Sequence, residues 1–164
     1  MTQLLNEIQI ENRINRIAFQ IFEDNFEATE IILAGISKSG YLLAAELEKR
    51  MKDICTIKTT LIEIKMDKNN QSDTPIQISL SAEYLKNKTV VIVDDVLNSG
   101  KTLTYAMIPF LNADVNKIRT VLMVDRDHKR YPIRADFVGF ELSTTLKEHV
   151  TVNLTEGNKS VILS

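Results

Sequence analysis

One cysteine, Cys55, stands in a chain of 164 residues. A single thiol excludes an internal disulfide and any cysteine-rich metal site. Placed after Asp53 and Ile54 beside an apolar run, it reads as a small, half-buried hydrophobe. No stretch is both long and apolar enough to cross a bilayer. Met1–Glu7 has neither a basic start nor an apolar core, so it does not read as a signal peptide. The chain is expected to be cytoplasmic, with no membrane partner. The formal net charge of −2 offers no global attraction to nucleic acid or anionic lipid. Arg126, His128, Lys129, Arg130 and Arg134 cluster locally, but so small a group reads as a solvated loop. His128 and His149 lie far apart without matching acids, which excludes a zinc site and leaves both as surface histidines. Repeats, low-complexity tracts and linkers are absent too, so residues 1–164 are expected to form one domain. What is present suits that: 44% apolar and 26% charged residues are enough for an ordinary core.

The apolar residues recur in two patterns. Ile10, Ile14, Ile17, Ala18 and Ile21 fall at spacings of three and four, opposite Glu11, Asn12, Asn15 and Arg16. That predicts an amphipathic helix ending near Phe26. Leu42, Leu43, Ala45, Leu47 and Met51 predict a second. Ile31–Ala34, Val90–Val93 and Thr120–Val124 are instead short continuous apolar runs, as in strands buried on both faces. Thr59–Met66 reads as another strand, and Phe137–Phe140, Val150–Val152 and Val161–Leu163 as short late ones. A helix carrying Leu103, Ala106, Met107 and Phe110 follows the Val90 strand. Asp67–Pro75 is polar throughout and reads as a mobile surface loop. Apolar strands alternating with helices predict an α/β fold with a mostly parallel central sheet flanked by helices. Ligands of such sheets bind at the carboxyl ends of the strands. Two polar loops fall at that edge, Gly35–Gly40 and Asp94–Thr102.

The second loop carries the clearer chemistry. Asn98-Ser99-Gly100-Lys101-Thr102 follows a strand and opens a helix. A helix start offers unpaired N–H groups and partial positive charge. Gly100 admits close backbone approach, Ser99 and Thr102 add hydroxyls, and Lys101 adds charge, which together make a phosphate cradle. Alternatively, Ser99 merely caps the helix. Asp94 and Asp95 decide against so bland a reading. Adjacent acids at the mouth of a buried strand repel each other, and burial raises the cost. Facing a polyol, a cation or both, they become useful. A phosphate cradle beside a hydroxyl-binding acid pair describes a ribose 5-phosphate site. It is not a Walker loop, because no glycine lies five positions before Gly100.

Val90 to Leu103 resembles the 5-phosphoribosyl-1-pyrophosphate (PRPP) signature of the type I phosphoribosyltransferases. Gly35-Ile36-Ser37-Lys38-Ser39-Gly40 resembles the pyrophosphate loop of that family. Val124-Asp125-Arg126-Asp127-His128 and Pro132–Gly139 resemble its branch of pyrimidine-operon regulators with uracil phosphoribosyltransferase activity. The likeness runs from the first helix to about Val152. It implies the type I fold with a small hood, transfer of phosphoribose from PRPP to a nucleobase, release of pyrophosphate, and a homodimer. Asp94 and Asp95 would be the catalytic pair, holding the ribose hydroxyls and Mg²⁺, directly or through water. Leu97, Asn98, Ser99, Gly100, Lys101 and Thr102 would wrap the 5-phosphate. Ser37, Lys38, Ser39 and Gly40 would contact pyrophosphate. Asp125 and Arg126 join the substrate-binding set, and the loop at Asp67 and Lys68 would be the lid.

The chain departs from this branch in places. Ser39 stands where an arginine is usual, and Asp67-Lys68 where the lid usually carries Tyr-Arg. Lysine is a weaker match than arginine for bidentate phosphate binding. The changed lid puts turnover in question more than binding. The purine branch, acting on hypoxanthine or guanine, places an aspartate at Asn98 and a lysine at Asp125. An amide cannot exchange a proton as an acid does, and Asp125 would repel a purine carbonyl. The expected base is therefore a pyrimidine, uracil. Two alternatives differ in class: a nucleotide-sensing RNA-binding regulator, which the acidic balance does not favour, and a domain that binds PRPP without turnover.

Overall fold

The computed structural model describes residues 1–164. Strand β1 (Thr2–Leu5), which the sequence reading did not anticipate, precedes helix α1 (Glu7–Asp24). Asn6 caps α1 reciprocally with Gln9: its side chain accepts from Gln9 N, and the Gln9 side chain accepts from Asn6 N. The helix ends two residues before Phe26, where Asn25 Nδ2 donates to the Ile21 carbonyl at 2.8 Å. Next come β2 (Glu30–Ile36), α2 (Ser37–Ile54), β3 (Lys58–Ile64) and the single turn α3 (Ala82–Leu85). Strand β4 (Thr89–Leu97) leads to α4 (Lys101–Ala106) and α5 (Ile108–Asn112). One helix was expected there. Pro109 lacks the N–H that would continue the ladder, so the helix breaks in two. Strands β5 (Lys117–Asp125), β6 (Phe137–Glu141), β7 (Val150–Asn153) and β8 (Ser160–Leu163) complete the chain.

Five strands form a parallel sheet in the order β3-β2-β4-β5-β6. Alternate residues of each central strand face opposite layers. Ile31, Leu33, Val91 and Val93 pack with Ile14, Ile17, Leu43 and Leu47 of α1 and α2. Ile32, Ala34, Val90 and Ile92 pack with Leu103, Ala106 and Phe110 of α4 and α5. Burying both faces is what makes these strands continuous apolar runs. The hood is a separate antiparallel sheet, β1-β8-β7. Its Leu5 and Val161 join the α1–α2 layer. Lys159 pins it there, with a side chain 4% exposed that reaches Glu11 and, at 3.3 Å, Glu46; Arg50 shares Glu11.

Candidate functional site

Register places the site. Gly35 of β2 pairs with Val93 of β4, and Leu97 of β4 pairs with Asp125 of β5. Asp94 and Asp95 thus lie within the last turns of the pleat, at the carboxyl edge, because β4 runs beyond Val93 to Leu97. Asp94 is 3% exposed. Burial, with the repulsion of Asp95, pushes its carboxyl up to about 7 despite a cation beside it. That cation is Lys68, whose Nζ lies 2.9 Å from Asp94 Oδ1 and 3.7 Å from Asp95 Oδ1. Burial lowers the affinity of the Lys68 ammonium for its proton, but the two carboxylates outweigh it and raise its pKa.

The residues Ser37–Gly40 are not a free loop but the first turn of α2. Two glycines let that turn press onto the sheet. A Cβ on Gly35 would lie 2.3 Å from Tyr41 Cα, and one on Gly40 would lie 2.5 Å from the Val93 carbonyl oxygen and 3.4 Å from Asp94 Oδ1. The first-turn N–H groups, which no side chain caps, therefore start beside the acid pair. Ser37 takes up a positive φ of 53° to make the entry, a backbone conformation found at ligand-facing turns more than elsewhere.

Gly100 makes the third wall. Its φ of +86° suits glycine, and a Cβ would meet Ile133 Cγ2 at 2.5 Å. Ser99 Oγ accepts from Lys101 N at 3.2 Å, so it does brace the helix start, while its carbonyl accepts from Arg130 N at 2.7 Å. The loop after β5 thereby holds the Leu97–Thr102 turn in shape.

Asp125 and Arg126, expected in the substrate-binding set, lie at the end of β5 and just beyond it. Both are buried. Asp125 accepts from Asp127 N at 2.9 Å and pairs with Lys129 at 3.2 Å. The Arg126 guanidinium donates to Asn98 Oδ1 at 2.7 Å, Thr144 Oγ1 at 3.0 Å and the Glu148 carbonyl at 2.5 Å. It clamps the turn after β4 to the segment after β6. His128 Nε2 lies 2.9 Å from the same Thr144 hydroxyl, and His149 is exposed. A cavity of about 530 Å³ borders Asp125 on its β6 side, away from the acid pair, with Arg16, Arg134 and Glu141 in its walls.

The lid residues lie in a segment with several contacts to the rest of the site. Asp67 is exposed, but Asp67–Pro75 as a whole is not a detached surface loop. Ser37 Oγ donates to the Met66 carbonyl at 3.3 Å, Lys68 sits on the acids, and Gln71 is 6% exposed. The Gln71 amide donates to Thr102 Oγ1 at 3.1 Å. The bracing roles of Gln71, Arg130, Ile133 and Thr144 were not legible in the sequence. Nothing in a polar run marks which member turns inward.

The two acids are the candidate metal ligands here; no group of three or more acidic, histidine or cysteine side chains converges. Two carboxylates still suit Mg²⁺, which takes one or two from protein and the rest from water and phosphate. A parallel sheet carries an acid pair, an uncapped helix start and a glycine turn at its carboxyl edge.

Comparison with known proteins agrees. The phosphoribosyl transferase domain model matches residues 1–156, and the chain belongs to that family. It is 35% identical to the bifunctional protein PyrR of Corynebacterium glutamicum, over 99% of this chain and 91% of that one. It is 33% identical to PyrR of Brevibacillus brevis, over 98% and 94%. Among solved structures, the hypoxanthine phosphoribosyltransferase of Trypanosoma cruzi superposes with a TM-score of 0.80 at 18% identity, covering 99% of this chain and 95% of that one. A hypoxanthine-guanine enzyme of Bacillus anthracis gives 0.75 at 23% identity, covering 87% and 83%. The protein is a phosphoribosyltransferase in fold and family.

Proposed function

We propose that the protein transfers the 5-phosphoribosyl group of PRPP to uracil and releases pyrophosphate. The observation that carries this is the packing of Gly40 against Val93 and Asp94, which brings the start of α2 against the acid pair at the carboxyl edge of the sheet. Asp94 and Asp95 hold the ribose hydroxyls. The 97–102 turn holds the 5-phosphate with Ser99, Gly100, Lys101 and Thr102. Ser37, Lys38 and Ser39 hold pyrophosphate. Asp94 and Asp95 would hold Mg²⁺, which would supply neutralisation of the departing charge. The base nitrogen donates its lone pair to C1, the C1–O bond breaks with its electrons passing to pyrophosphate, and the nitrogen's proton leaves to solvent. The protein's part is to position and to stabilise charge.

Uracil rather than a purine is favoured by Asn98, whose amide accepts from Arg126 and has no proton to exchange. The reading covers residues 1–164 as one domain, working as a cytoplasmic homodimer. A pyrophosphate-release assay across uracil, hypoxanthine, guanine, xanthine and orotate tests it. Release with uracil alone is the expected result, and release with none of the five would sink the transferase reading. The relatives' designation as bifunctional supports a second role as a nucleotide-sensing RNA-binding regulator. Filter binding of a pyrimidine-operon leader RNA, with and without UMP, tests that role separately.

A further inference from the structure

Position 68 carries a lysine, and the fold gives its ammonium a defined seat. Lys68 Nζ bridges Asp94 Oδ1 at 2.9 Å and Asp95 Oδ1 at 3.7 Å, against an Asp94 side chain only 5% exposed. The backbone that delivers it is held on either side. Upstream, the Met66 carbonyl accepts from Ser37 Oγ; downstream, Gln71 Nε2 donates to Thr102 Oγ1 and to the Lys68 carbonyl. Three consecutive anchors make this an arrangement of the fold rather than a chance surface contact.

The chemistry of the seat is that of a cation site already filled. Mg²⁺ prefers carboxylate oxygens in a tight octahedron at about 2.0–2.1 Å. It would draw on the same two carboxylates that Lys68 already neutralises. Two cations in contact with one carboxylate pair, in a place mostly removed from water, repel strongly. Lysine suits this role better than arginine, because its charge is compact and not spread over a planar fork.

We propose that Lys68 is a tethered counter-cation that competes with the divalent metal for the Asp94–Asp95 pair, so that metal loads only as Lys68 leaves and the 66–71 segment lifts from the cleft. The idea rests on the reading of these acids as the ribose- and metal-facing pair. It makes the free site a poor metal binder and couples metal entry, lid opening and ligand entry into one event.

Mn²⁺ binding to the full chain without PRPP, followed by the electron paramagnetic resonance of the free ion, tests the proposal. Lys68→Met keeps the length of the stem and removes the charge. Its dissociation constant for Mn²⁺ should fall at least tenfold, and the gain should vanish in Lys68→Met with Asp94→Asn. Lys68→Arg, still charged, should stay within about threefold of the parent. If Lys68→Met does not fold, Lys68→Gln carries the same expectation. An unchanged affinity in the folded neutral variant overturns the proposal. So does a gain that survives Asp94→Asn, which would put the ion elsewhere, or a tenfold gain in Lys68→Arg, which would assign the effect to packing. Pyrophosphate release is not read, so this test and that of the transferase reading fail independently.

Discussion

Gln71 rests on Thr102: the amide of one donates to the hydroxyl of the other at 3.1 Å, across a sequence separation of 31 residues. A segment that composition assigns to solvent is thereby latched to the turn proposed to hold phosphate. Removing the latch should loosen the segment more than it destabilises the protein. A typical hydrogen bond contributes about 1 kcal/mol net. Gln71→Ala should lower global stability by no more than about 1–2 kcal/mol, yet speed amide exchange across residues 67–75 several-fold. Hydrogen exchange with mass spectrometry reads both. Unaltered exchange in that window would show that Gln71 does not hold the segment down.

Asp94 should trade stability for binding. Burial and Asp95 disfavour its charge, and Lys68, about one-third exposed, can turn to water if its partner is neutralised. Asp94→Asn should therefore melt at or above the parent temperature while weakening PRPP at least about tenfold, near 1.4 kcal/mol. Calorimetry with thermal melts decides. A markedly lower melting temperature with normal PRPP affinity would make Asp94 a structural partner of Lys68.

Gly100 is needed for its backbone as well as its smallness. A left-handed conformation costs a non-glycine residue roughly 1–2 kcal/mol, and the added Cβ meets Ile133 besides. Gly100→Ala should lower urea stability by at least that much. Gly100→Ala with Ile133→Ala should remove the clash but retain the backbone cost, so the loss at position 100 should shrink in that background without disappearing. Full additivity of the two changes would mean that Ile133 is not in the way.

Glu30 predicts an acid limb far from the cleft, at the amino end of β2. Burial raises its pKa, but hydrogen bonds from the Tyr84 hydroxyl at 2.7 Å and Thr60 at 2.8 Å, with Lys88 and Lys58, outweigh that and hold it at about 2. With the folded value below the unfolded one, the unfolded chain binds the extra proton between about pH 4.5 and 2. The stabilisation is complete above that window and is lost as pH falls through it. Urea unfolding of the parent and Glu30→Gln should give a stability gap at pH 7 that narrows towards pH 3. A gap independent of pH would mean that the carboxylate's charge contributes nothing.

Legibility followed the strength of the local signal. Val90–Val93 and Thr120–Val124 were readable as strands because both faces of the parallel sheet are buried, leaving no polar alternation to confuse. The acid pair and the Gly100 turn stood out because their residue types are costly or unusual where they lie. The strand character of Asp94 and Asp95 was hidden, since the apolar run stops four residues before β4 does. Strand β1 escaped because Thr2–Leu5 gains its ladder only from β8, at the opposite end of the chain. The inward turn of Gln71 and the internal engagement of Arg126 depend on partners 31 and 28 residues away, which no window along the sequence contains.

In the hood, Thr2 faces Leu163 and Gln3 faces Ile162 in one antiparallel ladder. Neighbouring strands of that kind lie about 5 Å apart, so residues from the two ends of the sheet's sequence lie side by side. Trimming either end strips a partner from the other: loss of residues 1–5 leaves β8 as an unpaired edge, and loss of residues 160–164 releases β1 and removes the bridge to β7. The two extremities behave as one structural part, and fusions at either will be felt by both.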